Sequence, residues 1–456
     1  MGGLTRRFVD HLVATHDDVM TDPGVLPRMD ALVADGLAVG LAGAAEPGPS
    51  LLAEQALAAY GDGGKGGATL LARCGTLPPI AAARVNGAAM HVLDFEPMWN
   101  PANHSVSTVL PALLALAETG DARRDGRALV AALAIGIEAQ TRLRRASRQF
   151  EPGDLVFHPP SVVGPIGSAV ACGLFLGLNH DALCHAVGIA ASRAGGVLAN
   201  VGTMTKALHC GGAAADGFEA ALLAARGFTA DPDALAGSRG YLNAFFGGEP
   251  DTDALTVDAP LSVLDPGPAF KFYPSQYGTH FVITAALDLA PLTAGAEIEN
   301  VTITCPPMPY VDRPSPSSGL AGKFSFQYVV AASLLDGQVN LATFSDARRF
   351  AADMDSLLPR ISISPDQNRP GRFDQMRVDI DVRLSSGVSH TASCDGPPGI
   401  WGRPPSEERL SVKLRDCLKY AGLPEELERN LTSVSAVEGE GLRHMIGALG
   451  ISRFTH

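Results

Sequence analysis

The hydrophobic period of this chain changes once, near Pro266, and that change constrains its fold more than any other feature. Before it, apolar residues recur at helical spacing in segments 79–94, 108–119, 127–145, 161–177, 181–200 and 205–226, punctuated by Gly and Pro. Many of these segments carry Ala and Gly together, as at 194–196 and 211–215. Small side chains let helices approach closely, which favours a multilayered helical domain over an amphipathic surface bundle. No strand reads in this half. After Pro266, IENVTITC (298–305) and MRVDIDVRL (376–384) alternate apolar and polar residues, the second with Val378, Ile380, Val382 and Leu384 on one face. Ser385-Ser386-Gly387 turns that run towards VSHTASC, and a helix is expected from about Ser325 to Leu335. From Pro404 the pattern is helical again. The expected fold is mainly α: a large all-helical domain over 1–265, completed by C-terminal helices 402–456, with a smaller α+β lid domain over 266–401.

Composition narrows the function classes. With 456 residues and 46% hydrophobic content the chain buries a large core, which excludes disorder. Lys and Arg total 35 against 48 Asp and Glu, a net charge of −13 that disfavours nucleic acid and anionic membrane as partners. A few local cations can still build a pocket for a small anionic substrate. The seven cysteines include no Cys-x-x-Cys pair, so neither a disulfide framework nor a zinc ribbon is expected. The N-terminus is not a signal peptide, and no unbroken apolar run approaches the roughly 18 residues of a membrane span. A soluble, cytoplasmic protein without a metal centre is expected.

Gly61-x-Gly63-x-x-Gly66 formally matches a dinucleotide fingerprint, but a helical pattern precedes it where the fingerprint needs a strand, so it reads as a loop. Walker A, nucleophile-elbow and His-Glu-x-x-His patterns are absent. Five other places draw attention. In HVLDFEPMWNPANHSVSTVLP, Asp94 closes a helix and His104 precedes the next one. His158 is followed by two prolines and a Gly/Ala-rich helix. Lys206 and His209 share a helix face at i, i+3, where the lysine either snorkels from the helix end or binds an anion. Lys271 opens KFYP at the change of period, and Tyr310 follows a strand.

Together these blocks resemble the MmgE/PrpD family, which includes 2-methylcitrate dehydratase, iminodisuccinate epimerase and cis-aconitate decarboxylase. The resemblance rests on HVLDFEPMWNPANHSVSTVLPALLALAE, TKALHCGGAAADGFEAALLAARGFT, KFYPSQYGTH and KFSFQY, in the family's order along nearly the whole chain. FHPPSVVGPIGSA, YVDRP and FSFQYVVAASLLDG are similar to the versions in its cis-aconitate decarboxylase branch. So is Tyr277, where the wider family often carries Arg. The resemblance implies a cleft between a helical domain and a lid, a homodimer, and no metal or organic cofactor. It implies an active site from Asp94, His104, His158, Lys206, Lys271 and Tyr310; His209 and His280, within the matching blocks, join His158 and Lys271 as substrate-binding candidates. One departure stands out: Met98 replaces a Thr of that branch, and a thioether cannot donate a hydrogen bond to a carboxylate.

The implied reaction is loss of CO2 from cis-aconitate or a close unsaturated polycarboxylate. Lysines, histidines and Tyr310 would clamp the carboxylates, and His104 would protonate the carbon left with carbanion character. Asp94 would orient His104, and neighbouring carboxylates would raise its pKa. The same residue types also suit a hydro-lyase or an epimerase acting on a polycarboxylate.

Overall fold

A computed structural model describes residues 3–120, 125–151, 153 and 155–450. The N-terminal region is helical, and five of its helices form its frame: α1 (Val25–Gly43), α2 (Pro79–Val92), α3 (Gly126–Ala146), α4 (Pro159–Leu176) and α5 (Met204–Ala225). Their boundaries reflect local chemistry. The Asp125 carboxylate caps α3 by accepting from the backbone N–H of Arg127 at 2.8 Å. α4 opens on two prolines, whose missing N–H groups cost nothing in a first turn, and stops at Gly177 with φ +75°. The pattern read as helix over 181–200 ends at Ala191, capped by Ser192, and Gly196 at φ +109° turns the chain further on.

α5 packs between α2 and α4, meeting each through bare backbone. A Cβ at Gly211 of α5 would lie 2.1 Å from the Arg84 carbonyl oxygen of α2, and one at Gly217 would lie 2.3 Å from that of Pro165 in α4. α4 is as long and apolar as a membrane-spanning helix, yet 89% of it is buried within the protein. The Gly61–Gly66 loop does come after a helix, Pro47–Tyr60. A second departure in the helical region, where no strand is expected, is a short antiparallel pair of β1 (Ala68–Thr69) and β2 (Thr76–Leu77).

The sheet of the C-terminal region comprises β3 (Ile298–Cys305), β4 (Ile361–Pro365), β5 (Val378–Leu384) and β6 (Ser389–Cys394), in the order β4-β3-β5-β6. β3, β5 and β6 run antiparallel, with Ile303 opposite Ile380 and Ile380 opposite Ala392. β4 adds a parallel edge to β3. Its ISISP sequence alternates serine with isoleucine and ends on proline, a pattern suited to an edge. The buried side chains of β5 are Val378, Ile380, Val382 and Leu384. α6 (Tyr277–Thr293) and α7 (Phe326–Asp336) pack with this sheet around one apolar cluster. α8 (Glu407–Tyr420) returns to the helical region, where Leu414, Cys417 and Leu418 join its core. Met98, in the loop after α2, belongs to the core of the sheet region and pairs by backbone with Ala269 at 3.0 and 2.8 Å. The two regions meet here.

Candidate active site

Three tightly packed helices deliver three side chains to this junction: α2 ends on His91 and Val92, α4 is preceded by His158, and α5 carries Lys206 in its first turn. Two residues beyond α2, Asp94 adopts φ +52°, a conformation rare for non-glycine residues and tolerated best by Asn and Asp. The carboxylate is buried. Its Oδ2 accepts from Lys206 Nζ at 2.7 Å, and its Oδ1 accepts from Lys271 Nζ. Burial alone would raise its pKa, but Lys206 and then Lys271 outweigh that and hold it well below the usual carboxylate range. Further lysines satisfy carbonyls where the chain leaves α2: Lys323 donates to Leu93 O at 2.8 Å and Lys413 to Phe95 O at 2.8 Å. Burial pulls the Lys323 ammonium down to about 8.

Beside this junction lies a cavity of about 480 Å³, within the range of small-molecule sites. Asp94, Met98, His104, His158, Lys206 and Tyr310 all line it. Three other expected contributors do not. Lys271 is fully buried behind Asp94 and spends its three N–H groups on the Asp94 carboxylate, Asp94 O and Ser275 O. It supports the site from behind instead of clamping substrate. His209 stands behind His158, the two Nδ1 atoms 3.3 Å apart. His280 is buried among the rings of Tyr273 and Tyr277, each with its centroid 5.1 Å away.

Three expectations for His104 change. The helix after it spans Leu110–Ala117, so His104 lies within a loop and not at a helix N-terminus. Its pKa is lowered, not raised: burial dominates, and Glu96 opposes it only in part. Asp94 is not its orienting partner either, since His104 Nε2 stands 3.6 Å from Asp94 Oδ1 and both Asp94 oxygens are engaged by lysines. Glu96, to which the sequence attached no role, comes closer, at 3.3 Å from His104 Nδ1. Tyr310 supplies a hydroxyl: its Oη accepts from Gln276 Nε2 at 3.4 Å, leaving its own proton free, and burial pushes its pKa up.

Two arginines in the lining lie outside the sequence-based expectations. Arg144 of α3 donates to Ala102 O at 3.3 Å, Ser147 Oγ at 2.9 Å and Gln149 O at 2.9 Å. Burial draws its pKa down to about 10. Arg313 donates to Tyr310 O at 2.9 Å. Among the described residues neither pairs with a carboxylate.

His91, Glu96 and His104 place three possible metal-ligand atoms within 4.8 Å of one another. That geometry is already taken: Lys206 Nζ occupies His91 Nε2 at 2.9 Å, and Glu96 holds the hydrogen on His91 Nδ1. An ammonium in contact with an imidazole ligand opposes a cation there.

The chain belongs to the MmgE/PrpD family, matching its N-terminal domain over residues 10–253 and its C-terminal domain over 273–438. Among curated proteins it is similar to cis-aconitate decarboxylase of Mus musculus, 35% identical over 79% of this chain and 76% of that protein. It is likewise similar to cis-aconitate decarboxylase of Homo sapiens, 36% identical over 74% of this chain and 72% of the relative. The enzyme of the same name from Aspergillus terreus is 28% identical over 88% of this chain and 86% of its own length.

Proposed function

We propose that the protein is a lyase that decarboxylates cis-aconitate, or a polycarboxylate of nearly the same shape, to an itaconate-type product. One observation carries this reading. Among the described residues lining the cavity, Asp94 is the only carboxylate and lysines neutralise it, while Lys206, Arg144 and Arg313 face the same space. A site so balanced recognises a small polyanion. Lys206 keeps one N–H after serving His91 and Asp94, and that hydrogen is available to a substrate carboxylate. The similarity to the decarboxylases supports this reaction.

These groups set the chemistry. The C–C bond to the carboxylate on the CH2 carbon breaks and releases CO2, and its electron pair becomes the new terminal double bond. The old double bond shifts its electrons to the far carbon, which takes a proton from His104. One proton is consumed per turnover. The resting His104 is held neutral by burial, so bound substrate carboxylates have to raise its pKa before it can donate. Since the protonated form is required, activity falls as pH rises through this pKa. The limb in kcat/KM, which reports the free enzyme, is therefore expected below the ordinary imidazole value of about 6.5, and the limb in kcat is expected above the first. Coincident limbs in a full pH profile would remove His104 from this role.

Incubation with cis-aconitate, followed by NMR, tests the substrate. Release of CO2 with terminal methylene signals is the expected outcome; addition of water to the double bond would identify a hydratase. Met98 bears on the same question, because it lines the cavity and is nearly inaccessible, at 2% exposure. If cis-aconitate is the substrate, Met98→Thr adds a hydroxyl donor to a charged ligand and should raise kcat/KM about tenfold. A fall in kcat/KM would favour a substrate with an apolar edge against the thioether. Homodimerisation belongs to the same proposal, with sedimentation at twice the chain mass as the expected result.

A further inference from the structure

His104 as proton donor leaves one buried carboxylate at the site without a task. Glu96 is 0% exposed, and a carboxylate withdrawn from water is costly unless its neighbours use it. Its Oε1 accepts from Ser107 Oγ at 3.0 Å and from His91 Nδ1, and it lies 3.3 Å from His104 Nδ1. Its Oε2 has no hydrogen-bond partner. An ionised carboxylate only accepts, so the imidazole nitrogens facing it carry hydrogen. The hydrogen bonds it accepts from Ser107 and His91 favour its ionised form, and its pKa lies well below the usual range.

These contacts fix the tautomer of His91. Lys206 Nζ, which only donates, stands 2.9 Å from His91 Nε2. His91 therefore accepts at Nε2 and is neutral with its hydrogen on Nδ1, in line with a pKa that burial lowers to about 4. His104 Nδ1 faces the same carboxylate at 3.3 Å but makes no hydrogen bond in this resting geometry; a hydrogen on Nδ1, which the acceptor opposite favours, leaves Nε2 for the substrate. Glu96, His91 and Lys206 thus form one chain running from the proposed carboxylate clamp back to the proposed proton donor.

We infer that Glu96 is the positioning residue of His104: it fixes the Nδ1–H tautomer, aims Nε2 at the substrate, and stabilises the imidazolium that delivers the proton. His91 is the spacer that shares this carboxylate and ties it to Lys206. This rests on the reading of His104 as donor. In the step itself Nε2–H passes to the substrate carbon, the Nδ1–H···Glu96 contact persists, and neutral His104 regains a proton from water before the next turnover. The other titratable groups facing His104 are Asp94 of its own loop, His91 at the end of α2, Lys271 before α6 and His158 before α4; Lys206 in α5 meets His91 and Asp94. Asp35 of α1 faces Glu96 from the far side, already paired with Lys413 at 2.7 Å.

The test reads the His104 ring by NMR in resting enzyme labelled at histidine, its signals assigned by their loss in His104→Asn. The wild type should show the Nδ1–H tautomer. Glu96→Gln, whose amide can donate as well as accept, should shift His104 towards the other tautomer and move its titration down by about one pH unit. The pH limb of kcat should move with it, with kcat lower by about 10²-fold and KM little changed. An unchanged tautomer and titration in Glu96→Gln would overturn the inference. Should that variant not fold, His91→Ala, which cannot donate to Glu96, carries the test. It leaves Glu96 undivided, so the His104 titration should rise, and a fall would overturn the inference equally. An enzyme whose His104 responds to Glu96 yet leaves cis-aconitate unchanged counts against the substrate assignment, not against this inference.

Discussion

Asp94→Asn is expected to destabilise the protein by about 3–5 kcal/mol, because it strands the ammonium groups of Lys206 and Lys271 in a site with little access to water. In a thermal melt of a chain this long, this corresponds to a fall of roughly 3–5 °C. Lys271→Met should cost less, since Asp94 keeps Lys206. Removing Asp94 and Lys271 together should recover part of the single-variant loss, because their costs are not additive. An Asp94→Asn protein that melts with the wild type would mean that the lysines do not depend on this carboxylate. The depressed pKa of Asp94 sets the sign with pH. The stabilisation is present above the unfolded-state value of about 3.9 and is lost only as pH falls through the much lower folded value. Mild acid should leave the ion pair intact.

The second large effect concerns turnover. His104→Ala should lower kcat by about 10²–10⁴-fold with little change in KM, because proton delivery is felt only in the transition state. Lys206→Ala should instead raise KM strongly, since a carboxylate it holds is charged in ground and transition states alike. Lys206→Arg should not restore binding fully: the single point charge that meets His91 Nε2 and Asp94 Oδ2 gives way to a longer planar fork. Steady-state kinetics on variants with wild-type melting curves decide the matter. If His104→Ala keeps kcat near normal, Tyr310 or His158 becomes the better donor.

Much of this site is legible in the sequence because its chemistry is concentrated in short blocks. Asp94, His104, His158, Lys206 and Tyr310 stand out as polar residues beside helix ends or after a strand, and the structure brings them to one cavity. What linear sequence hides is depth. Lys271 and His280 occur in a conspicuous block, yet both are 0% exposed and face neighbouring protein instead of the cavity. Glu96 sits in the most conspicuous segment, five residues after His91, but ring orientation decides which carboxylate meets which nitrogen, and spacing carries none of that. A second acid in a segment destined for burial is the available clue. Arg144 is hidden by its neighbour Arg145 at the end of α3, where basic residues ordinarily complement the helix dipole. In the fold, the alternation of β5 is plain, whereas β4 is too short and too rich in serine to separate from a loop.

The glycine contacts between α2, α4 and α5 give the site an unusual kind of vulnerability. His91, His158 and Lys206 are attached to the ends of helices whose spacing is set by backbone touching backbone. A methyl group at Gly211 or Gly217 introduces no charge and removes no catalytic atom, yet the helices must separate to admit it. A misplacement of about 1 Å at reacting groups can cost 10²-fold in rate. Inheritance of function in this scaffold therefore depends on two sets of residues that look nothing alike. One does the chemistry, and the other, by having no side chain at all, keeps the chemistry in register.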